Sequence, residues 1–145
     1  MDTVYSDIYL DVYNVDNEPP VVKTSRDDNS VRIIRAYLTD HGKNFSVSST
    51  DTIMLWGKKS DGTPANCFGE YFVIDEVTEE TPDGRNGALV GIYSGFTDVV
   101  GDVECQFVIT EDESVQNPAV IRTQKFIIRV FDNVDHEFVG EIPGL

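Results

Sequence analysis

Between Val103 and Thr110 the sequence VECQFVIT carries apolar side chains at alternate positions and then gives way to an acidic loop, EDESVQNP. Successive side chains of a strand point to opposite faces, so Val103, Cys105, Phe107 and Ile109 share one face while Glu104, Gln106 and Val108 share the other. The same period recurs elsewhere. Ile8, Leu10 and Val12 alternate with Tyr9, Asp11 and Tyr13, and Gln124, Phe126, Ile128 and Val130 lie opposite Lys125, Ile127 and Arg129. Segments of this kind bury one side of a sheet, and a one-sided sheet needs a second apolar face to close against.

Turn signals separate these segments at short intervals. SRDDNS, TDHGKN and SDGTP supply the Gly, Asp, Asn and Pro that reverse a chain. Between them lie DTIMLWGKK, YFVIDEV, GALVGIY, VECQFVIT and RTQKFIIRVF, all read as strands, with SGFTDVVGD the stretch suited to a helical turn. VRIIRAYL changes phase, with Val31 and Ile33 on one face and Ile34, Ala36 and Leu38 on the other. That pattern indicates a bulge or a strand buried on both sides, and its β-branched residues argue against a helix. The expected fold is all-β: an antiparallel, Ig-like β-sandwich of about seven or eight strands. It forms one domain over residues 1–133, with 134–145 as a C-terminal tail or linker. Trp56 invites comparison with the core tryptophan of immunoglobulin domains, but VRIIRAYL has no cysteine and Val103 stands where a tyrosine corner needs tyrosine.

The chain's 145 residues suit a single hydrophobic core. Its 11 basic and 26 acidic residues give a net charge of −15, which repels a phosphate backbone and argues against nucleic acid as a partner. No apolar run approaches the roughly 18 residues of a membrane span, so no membrane insertion is expected. The start, MDTVYSDIYL, lacks the basic and apolar regions of a secretory leader, which points to synthesis in a cytoplasm.

Few residues suggest chemistry. Asp11, Asp16 and Glu18, or Asp98, Asp102 and Glu104, could offer oxygen ligands to calcium, but neither group has EF-hand spacing, and no metal site is assigned. Cys67 and Cys105 form no zinc pattern with His41 and His136; they read as two partly buried thiols, with a disulfide the alternative. YSGF lacks the spacing of a nucleophile elbow, the two histidines lie in a turn and in the tail, and Glu79 and Glu80 are neighbours that point apart. No nucleotide loop occurs. The expectation is a non-enzymatic scaffold without catalytic residues or cofactor. Outward tyrosines, Tyr9 and Tyr13 with Tyr71 or Tyr93, leave a carbohydrate- or receptor-binding module as the alternative. Lys58, Lys59, Arg122, Lys125 and Arg129 gather the scarce positive charge around two strands, where an acidic partner could meet them.

Four stretches in order carry a resemblance: VVKTSRDDNSVRIIRAYLTDHGKNF, LWGKKSDGTPANC, SGFTDVVGDVECQFVIT and RTQKFIIRVFDN. Together they are similar to the N-terminal domain family of phage baseplate upper proteins, from tailed phages and prophages of Gram-positive bacteria. The likeness runs from Val21 to Asn133 and rests on the order and spacing of the motifs. It implies a β-sandwich in the virion's tail baseplate that attaches peripheral host-recognition proteins to the central hub. Implied partners are other tail and baseplate proteins, with a homo-oligomer left open. It brings no catalytic residues with it, and it does not reach SDIYLDVYN or secure the EVTEETPDGRNG loop.

Overall fold

In the computed structural model the alternating segments pair into two sheets whose inner faces meet in one apolar cluster. The structure describes residues 4–29, 32–45, 51–65, 72–76, 86–112 and 114–134, with the backbone alone at 44, 72–76 and 86–88. The strands are β1 (Val4–Asp11), β2 (Val21–Ser25), β3 (Arg32–Asp40), β4 (Lys43–Asn44), β5 (Thr52–Lys58), β6 (Phe72–Glu76), β7 (Asn86–Gly91), β8 (Gly101–Thr110), β9 (Val120–Arg122) and β10 (Phe126–Phe131). A single turn of helix, α1 (Ser94–Thr97), precedes β8. β4 and β9 are two and three residues long, so eight strands of ordinary length carry the architecture. The first sheet has the order β1-β3-β7-β6, with β4 beside β3; the second has the order β2-β10-β8-β5, with β9 beside β8.

The all-β sandwich agrees with the alternation, but the sheets are mixed rather than wholly antiparallel. β1 pairs with β3 in parallel, from Val4↔Arg32 to Asp11↔Thr39, and β2 pairs with β10 in parallel, from Val21↔Ile127 to Ser25↔Phe131. Parallel neighbours need a long crossover, and the chain supplies one by leaving the first sheet after β1, adding β2 to the second, and returning as β3. Alternation fixes which side of a strand is buried but carries no information on its direction.

The inward residues are those the period of two selects. Leu10, Ile34, Leu38 and Val90 of the first sheet, with Ile92 just past β7, meet Val103, Phe107, Phe126, Ile128 and Val130 of the second, all essentially without exposure. Phe107 and Phe126 stack at 5.6 Å between ring centroids. Full burial of each such side chain stabilises the fold by roughly 1.5–3 kcal/mol. β3 lies between β1 and β7 and is buried on both faces near its end: Leu38 points inward, and Tyr37, on the outer side, is 3% exposed. That accounts for the phase change in VRIIRAYL.

One local feature fills in the expected outline and one departs from it. The turn TDHGKN is a two-residue hairpin joining β3 to β4, in which His41 (φ 53°) and Gly42 (φ 78°) both occupy the left-handed region that a type I′ turn requires. RTQKFIIRVF is not continuous, because the chain breaks between β9 and β10. At the break the Thr123 amide donates to Phe107 O (3.1 Å), and the Phe107 amide donates to Thr123 Oγ1 (3.3 Å), so a side chain continues the β8 ladder.

Candidate functional site

Asp11 ends β1 and is covered by the chain around it, with 6% of the residue exposed. Its Oδ1 accepts from the amides of Tyr13 (2.7 Å) and Asn14 (2.9 Å), and its Oδ2 accepts from the Gly42 amide (3.0 Å) and the Thr39 hydroxyl (3.2 Å). Burial alone would raise this pKa; the hydrogen bonds from Asn14, Gly42, Tyr13 and Thr39 outweigh it and lower it from 3.8 to about 2. The Asp11 amide donates to Gln124 Oε1 (2.8 Å), and the Gln124 amide donates to Asp11 O (2.8 Å). Asp11 therefore ties together the β1 end, the β3–β4 hairpin and the β9–β10 link of the opposite sheet. Its acceptor capacity is spent within the protein, and it offers little to a metal.

The cleft above this node, about 570 Å³, is lined by Asp7, Tyr9, Asn14, Asn17, Glu18 and Gln124 among others. Beside it two outward residues of β1 and one just past its end form an aromatic row. Tyr5, Tyr9 and Tyr13 are 47%, 52% and 63% exposed. Each already has a neighbour: the Arg35 guanidinium lies 4.4 Å from the Tyr5 ring, Tyr9 is tilted against Tyr37 at 5.1 Å, and Tyr13 stacks on His41 at 3.6 Å. Arg35 also donates from Nε and Nη2 to the Asp7 carboxylate, at 2.6 and 3.2 Å.

The outer face of the second sheet differs in character. In β5, Ile53 and Leu55 point inward, which places Met54, Trp56 and Lys58 outside. Register then builds rows across the sheet: Lys58–Glu104–Ile127–Val21, Asp102–Arg129–Lys23, and Met54–Val108–Arg122. Trp56 is half exposed, and the Arg122 guanidinium lies 5.4 Å from its ring centroid. A groove of about 320 Å³ runs between Trp56, Lys58, Glu104, Gln106 and Lys125. Lys125 Nζ meets Glu104 Oε1 at 2.9 Å, and Arg129 Nε meets Asp102 Oδ1 at 2.8 Å. The hydrogen bonds of that second pair hold the Asp102 carboxyl below and the Arg129 guanidinium above their ordinary values.

Of the five cations the sequence groups together, Lys58, Arg122, Lys125 and Arg129 share this face. Lys59 does not: it is buried, with Nζ 2.8 Å from Asp98 Oδ1. Lys23, which sequence reasoning passed over, joins them because β2 pairs with β10. The set Asp98, Asp102 and Glu104 is divided among Lys59, Arg129 and Lys125. Among the described residues no group of three His, Cys, Asp or Glu side chains is placed to hold a metal. His41 has Nδ1 2.7 Å from Asp40 Oδ1. Cys105 is buried, its thiol 3.7 Å from Val103 O, and Tyr93 packs half-buried against the core. Cys67, Tyr71, Glu79, Glu80, His136 and most of the 134–145 tail lie outside the described residues.

Fold and surface together define an all-β sandwich with an acidic body and one cationic, tryptophan-bearing outer face. No family model and no curated protein sequence matches the chain. Among solved structures, the N-terminal domain of phage TP901-1 ORF48 matches with a TM-score of 0.57 at 16% identity, covering 88% of this chain and 98% of that domain. The two share a fold. No described helix is long and apolar enough to cross a membrane.

Proposed function

We propose that this chain is a non-enzymatic structural domain of a tailed-phage baseplate, an assembly module that links peripheral host-recognition proteins to the tail hub. On this reading it is made in the bacterial cytoplasm and works in the virion. The observation that carries the proposal is the fold held in common with the N-terminal domain of a phage protein over nearly all of that domain. The ordered motifs between Val21 and Asn133, similar to those of baseplate upper proteins, point the same way. So does the bonding of the polar residues with most chemical promise, since Asp11, Asp98, Asp102 and Glu104 are engaged by the protein's own donors and cations. The test is immunogold labelling of virions from a phage encoding the tagged chain, together with deletion of its gene. Label at the distal tail and loss of infective particles are expected; unlabelled tails or normal infectivity after deletion would overturn the proposal.

The exposed Tyr5, Tyr9 and Tyr13 favour a second reading, a carbohydrate- or receptor-binding module. It requires saturable glycan binding that disappears in Tyr9→Ala. The structural reading requires no such binding.

A further inference from the structure

We infer that the outer face of the second sheet docks an acidic segment of a partner protein, which seats an apolar side chain on Trp56 and sets its carboxylates against Lys58, Lys125 and Arg122. The inference rests on the assembly reading for one point only, that the partner is another virion protein.

Charge is the first argument. The protein has 11 Lys and Arg and a net charge of −15. Five of those cations, Lys23, Lys58, Arg122, Lys125 and Arg129, stand on this face against the carboxylates of Asp102 and Glu104. Among the described residues, no carboxylate lies within ion-pair distance of Lys23 or Lys58. A cationic face on an acidic body attracts and orients an acidic partner while the remaining surface repels it.

Shape and residue type supply the second argument. Trp and Arg dominate binding energy at interfaces, where they form contacts ringed by residues that exclude water. Here Trp56 is half exposed, with Arg122 beside its ring, and it borders a groove of about 320 Å³. That volume suits one side chain of a docked segment, with its neighbours within reach of Lys58 and Lys125.

Other occupants fit less well. A nucleic-acid backbone would meet Asp102 and Glu104 in the middle of the face and the repulsion of the whole acidic body. A second copy joined through the same face would set cation against cation.

Trp56 is the chain's only tryptophan, so its emission reports occupancy of this face directly. The experiment titrates the full chain with a synthetic peptide of Glu and Asp residues around a central Leu. A saturable blue shift is expected. The apparent affinity should fall at least roughly tenfold in Lys58→Glu/Lys125→Glu and on raising salt from about 0.05 to about 0.5 M. Lys43→Glu, on the β3–β4 hairpin, should bind as wild type, and circular dichroism should show all the variants folded. The inference falls if the Lys analogue of the peptide or an oligonucleotide shifts Trp56 equally. It also falls if the shift follows protein concentration without peptide, or if nothing shifts it. Distal-tail labelling without peptide binding would leave the assembly reading standing and remove this face from it.

Discussion

Asp11→Asn is the sharpest probe of the fold, because it keeps the side chain's size and removes only charge and one acceptor. The native carboxylate takes four hydrogen bonds, three from amides and one from the Thr39 hydroxyl. The Asn variant has one carbonyl oxygen; its NH₂ must face either the Tyr13 and Asn14 amides or the Gly42 amide, leaving donors opposed. The hydroxyl alone has another acceptor nearby, at Leu10 O. Hydrogen bonds to a charged group contribute about 1.5–3 kcal/mol each without adding fully, so a loss of about 2–4 kcal/mol is expected. The pH dependence is independent evidence. The carboxyl titrates at about 2 when folded against 3.8 as its ordinary value, so its contribution is complete above about pH 5. It is lost as pH falls through about 2, and is worth about 2 kcal/mol over that window. Urea unfolding of both proteins, followed by circular dichroism at a series of pH values, should show a gap that narrows by that amount between pH 5 and 2. A gap below about 0.5 kcal/mol at pH 7, or one that does not change with acid, would refute the reasoning.

Two further outcomes follow from the same geometry. Gln124→Ala removes the acceptor of the buried Asp11 amide and should cost about 1–3 kcal/mol in denaturant unfolding, with faster hydrogen exchange at Asp11; unchanged exchange would show that the link between the sheets is not made through this side chain. Trp56 should be quenched more by iodide than by caesium despite the protein's acidity, because Arg122, Lys58 and Lys125 surround it; stronger quenching by caesium would place it in the negative field of the body.

What could be read from the sequence divides along a physical line. The buried faces of β1, β8 and β10 follow from a period of two, which is a local property of the chain. The side taken by Trp56 was equally local: Ile53 and Leu55 are both inward, so Trp56 had to be outward, and comparison with a core tryptophan ran against that phase. Pairing partners are set by residues far apart. The parallel β1–β3 and β2–β10 ladders join segments no short-range pattern connects, and Lys23 reaches the cationic face only through the second of them. The break at Thr123 has no Gly or Pro to announce it, since a hydroxyl there does the work of a backbone group. Asp11 looked like an exposed polar position of β1, and only the approach of Gly42 and Gln124 makes it a node.

The ion pairs on the cationic face bear on how it could exchange partners. Arg129–Asp102 bridges β10 and β8, and Lys125–Glu104 ties the residue just before β10 to β8, where half or nearly half of each side chain meets water. Pairs so exposed are screened by solvent and salt and contribute little to holding two strands that the backbone ladder and the buried Phe126 and Ile128 already fix. Opening them therefore takes little from the fold. An arriving carboxylate can draw Lys125 away from Glu104 while excluding water from the groove, and the new pair then acts in a lower dielectric than the one it replaces. Lys125→Ala should accordingly leave the unfolding midpoint nearly where it is and weaken docking of an acidic segment. A residue holding the sheet together would show the opposite pattern.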